Sequence, residues 1–248
     1  MIMEEPKPWT PYRLLSEEEM FSRFRLSGGT SKHLLILYSM VIGVGAKTIV
    51  ELGLGQTTGV LRTAAMETGG TLYTCDFDRR RFEYALAEQD DHWKLYLEDS
   101  ASFLAKLPEP FDFVMHDAAH HYLAVKRDLE AIIPRMRKFG IICVHDTQQI
   151  DLSRDMLAAV RDATRNFSVS VTNLPFNAGL AIIRVEASSH PPIEFSSGLL
   201  PDGRNETDPL EFPTVPAGDN IKLRPGRKIF VAAKIRVGHI LRQAGLKS

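Results

Sequence analysis

Thr48-Ile49-Val50-Glu51-Leu52-Gly53-Leu54-Gly55-Gln56-Thr57-Thr58-Gly59 decides the fold. An apolar run ends in a carboxylate, passes through a glycine-rich turn and meets an apparent helix start. This order describes a strand that delivers a ligand-binding turn. Glycine tolerates positive φ and lets the backbone approach a ligand closely, while a carboxylate at a strand end accepts hydrogen bonds from hydroxyl or cationic groups.

Working outward, short apolar runs alternate with helical segments, which is the rhythm of a parallel βαβ sheet. Strands are predicted at Thr71–Cys75, Trp93–Leu97, Phe111–Met115 and Ile141–Val144, with helices after each. Ser168–Thr172 and Leu180–Val185, joined by turn residues 173–179, read as a closing antiparallel hairpin. Upstream, Ser16-Glu17-Glu18-Glu19 is a capping-box pattern that starts a short helix, and Ser31 is positioned to cap a second one. Residues 1–30 are therefore taken as an arm and helix, 31–185 as the α/β domain and 186–220, rich in Pro, Gly, Ser and Asp, as a loop or linker. Residues 221–248 hold eight Lys/Arg and no acid at roughly helical apolar spacing, and are taken as a basic amphipathic segment.

Composition narrows the function. At 248 residues, 25% charged and with a formal net charge of -1, the chain carries no general basic surface for nucleic acid, so none is expected as a partner. Its two cysteines, Cys75 and Cys143, both sit in predicted strands, which implies buried free thiols and a reducing compartment. No transmembrane segment and no leader pattern is found, and a cytoplasmic location is expected.

The turn itself excludes two ligands. Counting from Gly53, the third glycine of a dinucleotide fingerprint falls on Thr58, which disfavours NAD or FAD. No Lys-Ser or Lys-Thr follows Gly59, which disfavours a nucleoside triphosphate. What stands out is an acid at the carboxyl end of each of the first five strands: Glu51, Asp76, Asp99, Asp117 and Asp146. A single such Asp is commonly a helix N-cap, but five facing one crevice repel each other unless hydroxyls, amino groups, a sulfonium or a metal ion offset them. S-adenosylmethionine satisfies most of that list.

From about Ser31 to Val185 the sequence resembles the class I S-adenosylmethionine-dependent methyltransferases. The resemblance implies a doubly wound sheet of order 3-2-1-4-5-7-6. It also implies that Glu51, Gly53 and Gly55 wrap the methionine part, that Asp76 binds the ribose hydroxyls and that Asp99 and Ser100 contact the adenine. Many members carry glycine at the position of Thr57, which here narrows the turn or adds a hydroxyl.

A second pattern, Asp117-Ala118-Ala119-His120-His121-Tyr122 followed by His145-Asp146, is similar to the small-molecule O-methyltransferases related to macrocin methyltransferases and cephalosporin hydroxylase-like proteins. That likeness implies Mg2+ on Asp117 and Asp146 and a base at His120. The chemistry agrees: transfer to a hydroxyl requires loss of its proton, which an imidazole accepts near neutral pH, and a hard cation lowers the hydroxyl's pKa. Where metal-dependent relatives place Glu-Asp or Asp-Asn, this chain has His145-Asp146, which leaves two carboxylates for the ion. His116, His121 and His145 receive no role, and Tyr122, Asp128 and Glu130 are read as capping and solvating the following helix.

The function expected is O-methylation of a small hydroxylated acceptor. The alternatives are a metal-independent N- or carboxyl-methyltransferase and a non-catalytic cofactor-binding partner protein. A homo-oligomer through the N-terminal helices or the C-terminal tail is the assembly considered.

Overall fold

Five of the seven strands of the computed structural model begin at the residue that the apolar runs predict. Residues 12–26, 29–148 and 153–193 are described; the arm at 1–11, residues 194–220 of the linker and the basic segment at 221–248 lie outside them. Helices α1 (Glu17–Phe24) and α2 (Leu34–Gly43) precede β1 (Thr48–Leu52). Then follow α3 (Thr58–Thr68), β2 (Thr71–Asp76), α4 (Arg79–Leu86), β3 (Trp93–Leu97), α5 (Ser100–Leu104) and β4 (Phe111–His116). The second half holds α6 (Tyr122–Ile132), a 3-10 turn (Ile133–Arg135), β5 (Met136–His145), α7 (Ser153–Thr164), β6 (Val169–Leu174) and β7 (Leu180–Val185).

The seven strands make one sheet in the order β3-β2-β1-β4-β5-β7-β6. Strands β1 to β5 pair in parallel, and β7 runs antiparallel to both β5 and β6. This is the expected doubly wound, Rossmann-like order with its antiparallel edge. Side chains alternate across the sheet, so Val50, Leu52, Val114, Ile142 and Val144 join one core layer while Ile49, Phe113, Met115 and Cys143 join the other. Both cysteines are buried and free.

Several local readings change. The capping box at Ser16 is present, with Glu19 reciprocating, but α2 is entered through His33, and the Ser31 hydroxyl instead donates to the Leu26 carbonyl at 3.0 Å. Strand β5 starts five residues earlier than the apolar run suggested, because Phe139 at φ 71 and a register shift opposite Phe111 and Phe113 absorb an irregularity within it. The first residues of the expected linker pack back on that strand: Ser188 donates to the Met136 carbonyl and the Ile193 amide to the Lys138 carbonyl. No helix among the described residues is long and apolar enough to cross a membrane.

Candidate active site

Strand parity explains the first acid. Glu51 falls on the layer covered by α3, is fully buried, and pairs in register with Thr74. Its carboxylate accepts from Thr57 Oγ1 at 2.7 Å, from Thr58 Oγ1 at 3.0 Å and from Thr74 Oγ1 at 3.0 Å. Glu51 and Thr57 therefore lie beneath the glycine turn and tie the strand to the helix start, away from the open crevice above.

Burial pushes the Glu51 carboxyl up to about 8, against the lowering effect of the three hydroxyls. The folded protein thus holds a proton that the unfolded chain releases above its ordinary value of 4.5. Stability then falls as pH rises from 4.5 to about 8, by at most about 1.4 kcal/mol per pH unit, and levels off above that. Glu51→Gln is expected to remove this slope, so that thermal melts of variant and parent diverge between pH 5 and 8 in the variant's favour. Parallel curves would show that the carboxyl is ionised throughout.

Above the turn lies a crevice of about 570 Å³, within the usual range for a cofactor site. Gly53 forms its floor at φ 94. Asp76 is buried at its wall and accepts from the Leu54 and Asp78 amides at 2.9 and 2.7 Å. Asp99 caps α5 through the Ala101 and Ser102 amides and also lines the crevice; those donors hold its carboxyl below the usual range. The Ser100 hydroxyl, at the same edge, donates to Asp128 at 2.8 Å. The crevice thus brings Gly53, Asp76, Asp99, Ser100, Asp117 and His120 together.

Asp128 was read as a solvated helix residue, and the structure corrects this: it is 1% exposed and joins Ser100, His116 Nε2 at 3.3 Å and Arg127. The sequence signal was its phase, since Val125, Asp128, Leu129 and Ile132 share the buried face of α6. Tyr122 is not the cap either: His121 caps α6 through the Ala124 amide, and Tyr122 donates to Asp162 on α7 at 2.9 Å.

At one end of the crevice, Asp117, His120 and Asp146 converge, with one donor atom of each within 4.8 Å of the others. His120 Nε2 lies 3.3 Å from Asp117 Oδ1 and 3.1 Å from Asp146 Oδ2. The hydrogen bond to Asp117 raises the His120 pKa against the opposing effect of burial. For Asp117, burial works upward, but His120 and His145 outweigh it and the carboxyl sits below its usual range. His120 therefore contacts both Asp117 and Asp146. The donor set fits a divalent cation: two carboxylates and an imidazole converge, and the buried Asp146 Oδ1 has no hydrogen-bond partner.

His33 was missed at the sequence level. It is fully buried, its ring centroid is 5.2 Å from Phe176 and 5.4 Å from His145, and burial lowers its pKa to about 4. A lone histidine ahead of an apolar helix offers no signal until the hairpin loop is seen to reach it. Asn177 holds that loop in place, its Nδ2 lying 3.2 Å from the Gly29 carbonyl and 3.3 Å from Ser31 Oγ.

Residues 50–147 match the family described as a methyltransferase domain. Together with the strand order, this shows a methyltransferase domain over those residues on a Rossmann-like methyltransferase fold. The chain shares its fold with several solved methyltransferases. It is similar to the O-methyltransferase TomG from Streptomyces achromogenes, involved in tomaymycin synthesis and solved with SAM (TM-score 0.55, 18% identity, 70% of this chain and 92% of that one). It is likewise similar to the Bacillus cereus O-methyltransferase in complex with SAH (0.52, 18%, 68% and 90%) and to cofactor-bound Rv0187 from MTB (0.54, 19%, 66% and 84%). No curated protein matches the chain.

Proposed function

We propose that this enzyme methylates a hydroxyl of a small acceptor. The observation that carries the reading is that the cofactor crevice ends on Asp117 and His120, where a base and two carboxylates converge. Asp76 would hold the ribose hydroxyls of S-adenosylmethionine, Asp99 and Ser100 its adenine, and the turn of Gly53 and Gly55 its methionine part. Glu51 and Thr57 shape that turn from below.

With its Nε2–H held by Asp117 and Asp146, His120 would take the acceptor's proton at Nδ1 as the oxygen attacks the methyl carbon, the carbon–sulfur bond breaks and S-adenosylhomocysteine leaves. Asp117 and Asp146 orient the imidazole and stabilise it once charged. The same two carboxylates would hold a divalent cation, Mg2+ if they are its only protein ligands, which when bound lowers the acceptor's pKa.

His120→Ala is expected to cut transfer from labelled S-adenosylmethionine to a panel of catechol, phenol and sugar acceptors by about 10²- to 10⁴-fold. S-adenosylhomocysteine affinity, read by calorimetry, is expected to stay within about threefold, since the base acts on the acceptor. Undiminished transfer in His120→Ala would remove the base from His120. Failure of the parent to bind S-adenosylhomocysteine would remove the cofactor placement.

A further inference from the structure

We propose that His145 is a third, nitrogen ligand to the divalent cation of Asp117 and Asp146, so that the site favours a borderline transition-metal ion such as Co2+ or Zn2+ over Mg2+. This rests on the metal-assisted reading above and narrows it to the ion and the ligand set.

His145 Nδ1 lies 3.1 Å from Asp146 Oδ1 and 3.4 Å from Asp117 Oδ1. At those distances an ordinary buried ion pair would aim its N–H at one oxygen, yet neither His145 nitrogen makes a hydrogen bond of acceptable geometry, and Asp146 Oδ1 has no partner either. All three atoms are buried, in side chains 5% and 8% exposed. Buried polar atoms are rarely left unpaired, and here His145 Nδ1 and Asp146 Oδ1, 3.1 Å apart on adjoining residues, both are. Around an ion with bonds of about 2.0–2.1 Å, neighbouring donors lie about 3.0–3.4 Å apart. The observed spacings are those of donors sharing an ion.

The backbone points the same way. Consecutive strand residues send their side chains to opposite faces, so His145 and Asp146 would ordinarily diverge. Asp146 instead has φ 60, a left-handed conformation uncommon outside glycine, and both side chains reach the same point. His120 faces the same carboxylates, its Nε2 3.1 Å from Asp146 Oδ2 and 3.3 Å from Asp117 Oδ1, which leaves Nδ1 as its basic nitrogen. Mg2+ prefers oxygen donors, whereas imidazole with carboxylate suits Co2+ and Zn2+.

The test is Co2+ loading of the metal-free full-length protein, followed by proton spectroscopy and calorimetry against Mg2+. The expected result is a strongly shifted, solvent-exchangeable imidazole N–H signal that persists in His120→Ala and disappears in His145→Glu. His145→Glu, which restores an all-oxygen set, is also expected to lower the ratio of Co2+ to Mg2+ affinity by about tenfold or more. Absence of the signal in the parent, its survival in His145→Glu, or an unchanged affinity ratio would each overturn the proposal; the parent's spectrum decides even if a variant fails to fold. Full transfer by chelated, metal-free enzyme would instead overturn metal assistance while leaving the His145 signature to be judged on its own spectrum.

Discussion

Asp146→Asn is expected to lower kcat/KM for methyl transfer by about 10²- to 10³-fold while leaving S-adenosylhomocysteine affinity nearly unchanged. The substitution is chosen because Asp146 sits at φ 60, a conformation that asparagine accepts as readily as aspartate, so the backbone has no reason to move. What changes is charge. Asp146 Oδ2 is 3.1 Å from His120 Nε2, and its Oδ1 is 3.1 Å from His145 Nδ1. An amide there withdraws the anion that opposes burial at both rings and removes a carboxylate from the cation site.

The pH dependence carries the sign. His120 must be neutral to take a proton, and its pKa is raised, so activity in the parent climbs only as pH passes that raised value. Without Asp146 that rising limb is expected to shift to lower pH even though the maximum rate is much reduced. A rate loss with an unmoved limb would mean that Asp146 serves the acceptor or a metal without setting the titration of His120. Unchanged kcat/KM would remove Asp146 from the reaction altogether.

What was legible in the sequence follows from range. The succession of strands and helices was readable because apolar runs and Gly53 are local signals, whereas the strand order followed from the family resemblance; of the five strand-end acids, Asp76, Asp99 and Asp117 line the crevice. Which way each acid faces was not readable, because that depends on strand parity and on the helix covering each face. Glu51 shows this best: in sequence it is one more strand-end acid, but register with Thr74 and the start of α3 bury it among hydroxyls. Asp128 and His33 depend on contacts to Ser100 and Phe176, far away in the chain. The pairing of His145 with both aspartates required the positive φ of Asp146, and no residue type announces that conformation.

The two glycines of the turn should fail in different ways, and that difference tests whether the turn is shaped for the fold or for the ligand. A Cβ on Gly53 would stand 2.4 Å from the Asp117 carbonyl oxygen and 2.9 Å from its carbon, with φ at 94. Both contacts are backbone, so relief requires moving the ends of β1 and β4 apart, against the Asp117 amide bond to Leu52 and the Gly53 amide bond to Cys75, each 2.9 Å. Overpacking and left-handed strain together cost about 2–5 kcal/mol, or roughly 5–15 °C in Tm for a domain of this size. Because the displaced segment carries Asp117, Gly53→Ala is expected to lose S-adenosylhomocysteine binding by about 100-fold or more as well. At Gly55 a Cβ would meet only Asp117 Oδ2, at 3.9 Å, and no positive φ is required. Gly55→Ala should therefore melt close to the parent and yet weaken S-adenosylhomocysteine by about tenfold, since the added methyl stands where the methionine part must approach the backbone. Parent-like melting and binding in Gly53→Ala would show that the turn yields freely. Parent-like binding in Gly55→Ala would place the methionine part away from this turn.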